Sequence, residues 1–228
     1  SLERAGEIIF TEGLYAAEAT ATPLSLEGNW MTNHPSNPLT TGRFFTAQLR
    51  LTEKGVAARA AYDEFSYENP EASCIGRPPP AAIIASNLFA MQIEINEEEE
   101  LVVIRSEFWD EERTVYMDGR VHPEDSERFP SGHSIGWWDE GALVVDTANF
   151  ANHRSPYQMG VPSGNQKHVV ERYRLNGEGT RMIVEFTLED PEYIAESLTH
   201  SRELIYSPQV ELSSYDCDPE AARRFMSD

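Results

Sequence analysis

The sequence predicts a mainly β protein, an antiparallel up-and-down barrel or a strongly curved sheet, with an N-terminal arm and one or two short helices. Three observations carry this. From residue 83 onward apolar and polar residues alternate in short runs, the period of half-buried strands. Turn residues punctuate those runs: Asn96 ahead of Glu97 to Glu100, Asp118-Gly119, Asn176-Gly177-Glu178-Gly179 and Ser207-Pro208. The chain has 228 residues, 40% of them hydrophobic and 10% aromatic, which suits one barrel-sized domain with a full core.

Taken in order, residues 1–45 contain Pro23, Pro35 and Pro38 and little periodicity, so they read as an arm packed on the body, with one short helix near its start. Residues 46–82 hold a helix and a Pro-rich connection. Thr52 can cap the helix, Val56/Ala60 and Ala57/Ala61/Phe65 repeat at four-residue spacing, and Pro70 stops it. The connection carries Cys74 and Pro78 to Pro80. Residues 83–217 form the β body and 218–228 a tail. Within the body, Val102, Ile104 and Phe108 alternate with Val103, Arg105 and Glu107; Arg113 to Met117 ends at a turn; and Ala142 to Thr147 is rich in β-branched residues. Val169 to Arg174 runs into the Asn-Gly turn and returns through Met182, Val184, Phe186 and Leu188, before a last expected pair, Ser201 to Tyr206 and Val210 to Tyr215. Seven to ten sequential strands at such spacing suggest a lipocalin-like barrel.

Charge narrows the function. Eighteen Lys and Arg stand against 39 Asp and Glu, a net charge of −21, which repels phosphate backbones and anionic lipid heads. Nucleic acid is therefore excluded as the expected partner. Apolar runs such as Leu101 to Ile104 are far shorter than the roughly 20 residues of a membrane-spanning helix, so no membrane insertion is expected. The run Glu97 to Glu100 reads as a solvated hairpin tip. The two cysteines, Cys74 and Cys217, lie among loop-forming residues and outside any CxxC or Cys/His cluster. They are either a disulfide, closing a loop of roughly 140 residues in an oxidising compartment, or two unrelated buried thiols.

The string Gly132-His133-Ser134-Ile135-Gly136 matches the GxSxG elbow of serine hydrolases, but a strand follows it where the elbow needs a helix, so Ser134 reads as a hydrogen-bonded turn or bulge residue. The histidines lack HxH and HExxH spacing; a site built from His122, His133 and His168 on separate strands is the metal alternative, and no metal is the expectation. Asp118-Gly119-Arg120-Val121-His122-Pro123 concentrates an acid, a cation and a base in one turn. Parity puts Glu171 with Val169 and Tyr173 on an apolar face, and Asp146 with Ala142 and Val144, so both read as interior carboxylates, either catalytic or tied to Arg120 or Arg172. Tyr116, Trp137, Trp138 and Trp109 are candidate pocket aromatics. No Walker, Rossmann or haem-attachment motif is present, and no cofactor is expected.

Tyr116-Met117-Asp118-Gly119-Arg120-Val121-His122-Pro123, Gly132 to Gly136 and Leu143-Val144-Val145-Asp146-Thr147, in that order, resemble a family of bacterial exported proteins without an established reaction. Further matches at Leu51-Thr52, the Cys74 segment, His168 to Tyr173, Asp190-Pro191 and the Cys217 tail extend the resemblance over roughly residues 50–220. It implies a periplasmic or secreted protein and supports the Cys74–Cys217 pairing. The chain departs from the family pattern at Trp137 and at Pro162-Ser163-Gly164-Asn165.

The expected function is a small-molecule enzyme of the isomerase, lyase, hydratase or cyclase type. It would use metal-free acid/base chemistry on a mainly apolar substrate in the barrel pocket. His122 would shuttle the proton, with Asp118 or Arg120 setting its protonation. Glu171 and Asp146 would be interior carboxylates and His133 a second acid, while Tyr116, Arg120, Trp137 and Trp138 would bind substrate. The alternatives are a periplasmic lipocalin-like carrier of a hydrophobic ligand and a metal-dependent hydrolase using the histidines.

Overall fold

Nine strands close into one barrel in chain order: β1 (Gly28–Thr32), β2 (Met91–Asn96), β3 (Leu101–Ser106), β4 (Glu111–Tyr116), β5 (His133–Asp139), β6 (Ala142–Ala148), β7 (His168–Leu175), β8 (Arg181–Glu189) and β9 (Leu198–Tyr206). The structure, a computed structural model, describes residues 25–32, 48–157, 160–224 and 226. Strand alternation places Ile93, Val102, Ile104, Val115, Leu143, Val145, Val169, Tyr173, Met182, Val184, Phe186, Leu188 and Leu204 in a continuous buried core. The hairpin turns fall where the sequence puts them, at Glu97 to Glu100 between β2 and β3 and at Asn176 to Thr180 between β7 and β8.

Two expectations change. The first concerns the arm: Gly28–Thr32 is a barrel strand, hydrogen-bonded to β2 on one side and β9 on the other. Trp30 is fully buried there and its indole N–H donates to the Leu26 carbonyl at 2.9 Å. The rest of the expected arm, with its short helix, lies outside the described residues. Because β1 takes the place beside β9, the expected partner strand Val210 to Tyr215 is not a strand.

The second concerns direction. Every neighbouring pair is antiparallel except β4–β5, which is parallel with Val115 opposite Ser134 and Tyr116 opposite Ile135. A parallel neighbour cannot be reached by a tight turn, so residues 117–132 must travel back along the barrel. Gly132, at φ +75°, turns the chain into β5, where a side chain would collide with Thr147 and Phe150.

Outside the barrel, α1 (Glu53–Ala60) starts at Thr52, whose hydroxyl accepts from the Gly55 N–H at 3.1 Å. Its expected apolar stripe is not buried, since Val56 is 48% and Phe65 54% exposed; Thr52 instead holds the helix through bonds to the carbonyls of Glu192 and Tyr193. The short helix α2 (Ala81–Ala85) lies over one barrel end with Ala81 to Ile84 buried, and Thr32 ties to Ser86 behind it. A last helix, α3 (Pro219–Arg223), begins at Asp218, whose carboxylate accepts from the Glu220 N–H.

Cys74 and Cys217 form a disulfide. The tail leading to it crosses the β3–β4 connection: Tyr215 packs on Trp109 at 4.5 Å between ring centres, and its N–H donates to Asp110. Beyond the disulfide, Arg223 donates to the Ala72 carbonyl and the Ser73 hydroxyl. Trp109, a candidate pocket aromatic, is thus part of this strap. A bond spanning 143 residues restricts the unfolded chain by about 5 kcal/mol in the chain-entropy limit. The Cys74→Ala/Cys217→Ala double variant should keep the barrel's far-UV circular dichroism and lose up to about 5 kcal/mol in urea unfolding.

Candidate functional site

The return path of residues 117–132 carries His122 across the outer face of the barrel. On β5 the residues that face outward are His133, Ile135 and Trp137, and on β6 they are Val144, Asp146 and Ala148, because their neighbours Leu143, Val145 and Thr147 pair with the inward Tyr173, Glu171 and Val169. On β7 the outward residues are His168, Val170 and Arg172. Asp146 is therefore not an interior carboxylate. It shares parity with Ala142 and Val144 as read, but that set is the outer one, and its half-apolar composition hid the fact.

Four side chains from three strands and the return path meet there in one hydrogen-bonded chain. His133 Nδ1 lies 3.0 Å from His122 Nδ1. His122 Nε2 lies 3.2 Å from Asp146 Oδ1, and His168 Nε2 reaches the same oxygen at 2.6 Å. A carboxylate only accepts, so both Nε2 atoms carry the hydrogens; a neutral His122 then accepts at Nδ1 from the Nδ1–H of His133. This assignment leaves His133 Nε2 with a lone pair and no hydrogen bond among the described residues. Tyr116 stacks on the His133 ring at 5.3 Å, and Arg120 lies over Tyr116 at 3.7 Å.

Electrostatics separate the ends of the chain. Burial, then the neighbouring His122 and Arg120, hold His133 below its ordinary 6.5. At the other end the hydrogen bond to Asp146 raises His168 above 6.5, and Glu189 lies 3.8 Å from its Nδ1. Burial pushes Asp146 up, yet hydrogen bonds from His168 and His122 outweigh it and leave the carboxylate below 3.8. Asp118 is occupied elsewhere: it grips Arg120 at 2.6 Å, which lowers its carboxyl to about 2, and the partners of His122 are Asp146 and His133.

Glu171 is inside the barrel, as read, fully buried beside Val169 and Tyr173. Its partner is neither Arg120 nor Arg172 but Arg113 at 2.7 Å; Arg172 bonds to Asp139 instead. Arg113 also donates to Thr147 at 3.2 Å and Tyr173 at 3.3 Å, and Ser134 joins through the Thr147 hydroxyl at 2.9 Å. Ser134 is thus a buried strand residue rather than a nucleophile. Trp138 opposes the inward Leu143 at the barrel end and does not join the outer group, whereas Trp137 lies on the outer face, 45% exposed.

The sequence reading missed Glu111, Arg113 and Lys167 altogether and left His168 without a catalytic role. The signal for His168 was present: it shares parity with Arg172 and Arg174, and the adjacent strand puts Asp146 on the same side. The three histidines of the metal alternative do gather here, but among the described residues no group of three or more His, Cys, Asp or Glu side chains has the arrangement of a metal site. No helix among the described residues is long and apolar enough to cross a membrane. No family model matches the chain, and no curated protein matches it significantly.

The Asp146–His168 pair has a defined pH window. Because the folded state raises His168, its contribution is complete below 6.5 and fades as pH climbs through its folded value; because the folded state lowers Asp146, its contribution is present above 3.8 and fades as pH falls through its folded value. The pair is strongest between those limits. In Asp146→Asn the His168 titration followed by NMR should move down, while the His133 titration stays below 6.5.

Proposed function

We propose that the protein is a small-molecule enzyme of the isomerase or lyase type whose acid/base centre is the outer-face chain His133–His122–Asp146–His168. The observation that carries it is that one hydrogen-bonded chain ends in two imidazoles shifted in opposite directions. A pair of titratable groups pushed apart divides the roles of base and acid. His133, neutral near pH 7, takes a proton at Nε2. Passing its Nδ1 proton to His122 relieves the positive charge, and Asp146 stabilises the imidazolium that forms, as an oriented carboxylate does for a catalytic histidine. His168, whose protonated form the hydrogen bond to Asp146 favours, is the acid that returns a proton to the product. Both His122 nitrogens are engaged within the chain, so His122 is a positioning and relay residue.

The surroundings favour an apolar substrate with one polar group. Trp137, Ile135 and Val144 continue the outer face beside Asp146, and Tyr116 with Arg120 borders His133. The disulfide belongs to oxidising compartments, and with the family resemblance it supports a periplasmic or secreted protein. The carrier alternative draws its support from the closed barrel and from a pocket at its end. That pocket is floored by Glu111, Arg113 and Glu171, which does not suit a wholly apolar ligand.

The test is turnover of a panel of apolar ketones, enones and allylic alcohols in deuterium oxide, read by mass spectrometry. The wild type should exchange or convert a panel member, with activity rising through a value below 6.5 and falling through one above it. His133→Ala should lower kcat by about 10²–10⁴-fold with the fold intact. Unchanged turnover in both His133→Ala and His122→Ala, or release of a co-purified ligand chemically unaltered, would overturn the assignment.

A further inference from the structure

We infer that Asn149 is a positioning residue of the outer-face centre: its buried side-chain amide clamps the return path and so fixes His122 between His133 and Asp146. The inference rests on the acid/base reading of that chain, and its test is read first on geometry and only then on turnover.

Asn149 follows β6 directly and is 5% exposed. Its φ of +55° lies in the left-handed region, which asparagine tolerates better than most residues. From there its Nδ2 donates to three carbonyls of the return path, those of Pro123 at 3.4 Å, Glu124 at 3.1 Å and Glu127 at 3.2 Å. An NH2 group has two hydrogens, so one of them is shared between two carbonyls. An aspartate here would set acceptors against acceptors, and an apolar side chain would leave the carbonyls without this partner. The backbone extends the clamp. The Asn149 carbonyl accepts from the Phe129 N–H at 2.9 Å, and the Phe129 carbonyl accepts from the Ala151 N–H at 2.7 Å.

His122 stands immediately before the clamped segment. Proline fixes its own φ and confines the residue before it to extended backbone, so anchoring the Pro123 carbonyl leaves the His122 backbone little freedom. On the other side of His122 the path is tied at Met117, whose N–H donates to the Glu100 carbonyl at 2.8 Å. Between these two ties the imidazole meets His133 at 3.0 Å and Asp146 at 3.2 Å.

Electrostatics give this role a signature. His133 is lowered by burial and then by His122 and Arg120, and is raised by Glu127 and Asp118. Those residues all stand on the return path, and Phe129 of the same segment lies 5.9 Å from the His133 ring. His168 answers instead to Asp146 on β6, to Glu189 on β8 and to burial. Loosening the return path must therefore move His133 up toward 6.5 and leave His168 above it.

The test is Asn149→Gly, which keeps the positive φ without steric cost and removes only the amide. With circular dichroism unchanged, NMR titration should show His133 rising toward 6.5, His168 staying above it, and His122 losing its single Nε2–H tautomer. On a panel member that the wild type converts, kcat should fall about 10–100-fold with KM within about twofold. In the wild type the Asn149 Nδ2 hydrogens should exchange slowly with solvent. An unchanged His133 titration, equal movement of His133 and His168, or an unchanged kcat in the variant would overturn the inference. Fast exchange of that amide in the wild type would overturn it as well, which decides the matter even if the variant fails to fold. A wild type that converts no panel member would instead sink the acid/base reading, while the His133 and His168 titrations still decide whether Asn149 positions His122.

Discussion

Strand directions cannot alternate all the way round a ring of nine, so a closed nine-stranded sheet must contain a parallel pair. In this protein that pair is β4–β5. The outer-face chemistry depends on this constraint. With an antiparallel β4–β5 turn, residues 117–132 would shrink to a tight hairpin at the barrel rim and His122 would have no path across the outer face. The return connection instead lays an imidazole onto a sheet surface that already presents His133, Asp146 and His168, and two of its own residues, Asp118 and Arg120, brace the crossing against Tyr116.

The barrel keeps its two polar centres electrically distinct. Outside, the histidine chain is half-buried, and its two ends are shifted in opposite directions, His133 down and His168 up. Inside, the Arg113–Glu171 pair is removed from water, which costs several kcal/mol per ion and is offset only by close pairing and by bonds to Thr147 and Tyr173. A lone buried charge there would be strongly destabilising, which explains why Arg113 stands opposite Glu171 on the inner wall.

Much of this was legible in the residues. Alternation and turn chemistry located β3, β4 and β6 through β9 and implied β2 ahead of the Glu97 to Glu100 tip, because a strand with one wet face writes its period into the sequence, whereas the β5 segment read as a turn or bulge around Ser134. The turn Asp118 to Pro123 and the His133 segment were singled out as chemistry, and the fold brings them together. Parity failed for Asp146: β6 is apolar on both sides, with Val144 buried on the outer face as well as Val145 within, so alternation could not say which way the carboxylate pointed. β1 was hidden because five residues between unperiodic stretches carry almost no signal; its place is decided by the vacant edges of β2 and β9. Arg113 and Glu111 were obscured by the charge-rich run Asp110 to Arg113, where inward and outward ionic residues look alike.

The disulfide gives the molecule a covalent topology that the strand order alone does not show. Cys74 and Cys217 close the chain into a ring that encloses β2 through β9, and β1 lies outside it. Eight strands are therefore fenced by a covalent loop, while β1 is held by non-covalent contacts: its ladder bonds, the packing of Trp30 and side-chain bonds such as Thr32 to Ser86. Detaching β1 would leave the ring unbroken and bare the facing edges of β2 and β9, a gap shaped for one short strand from the same chain or from a second copy.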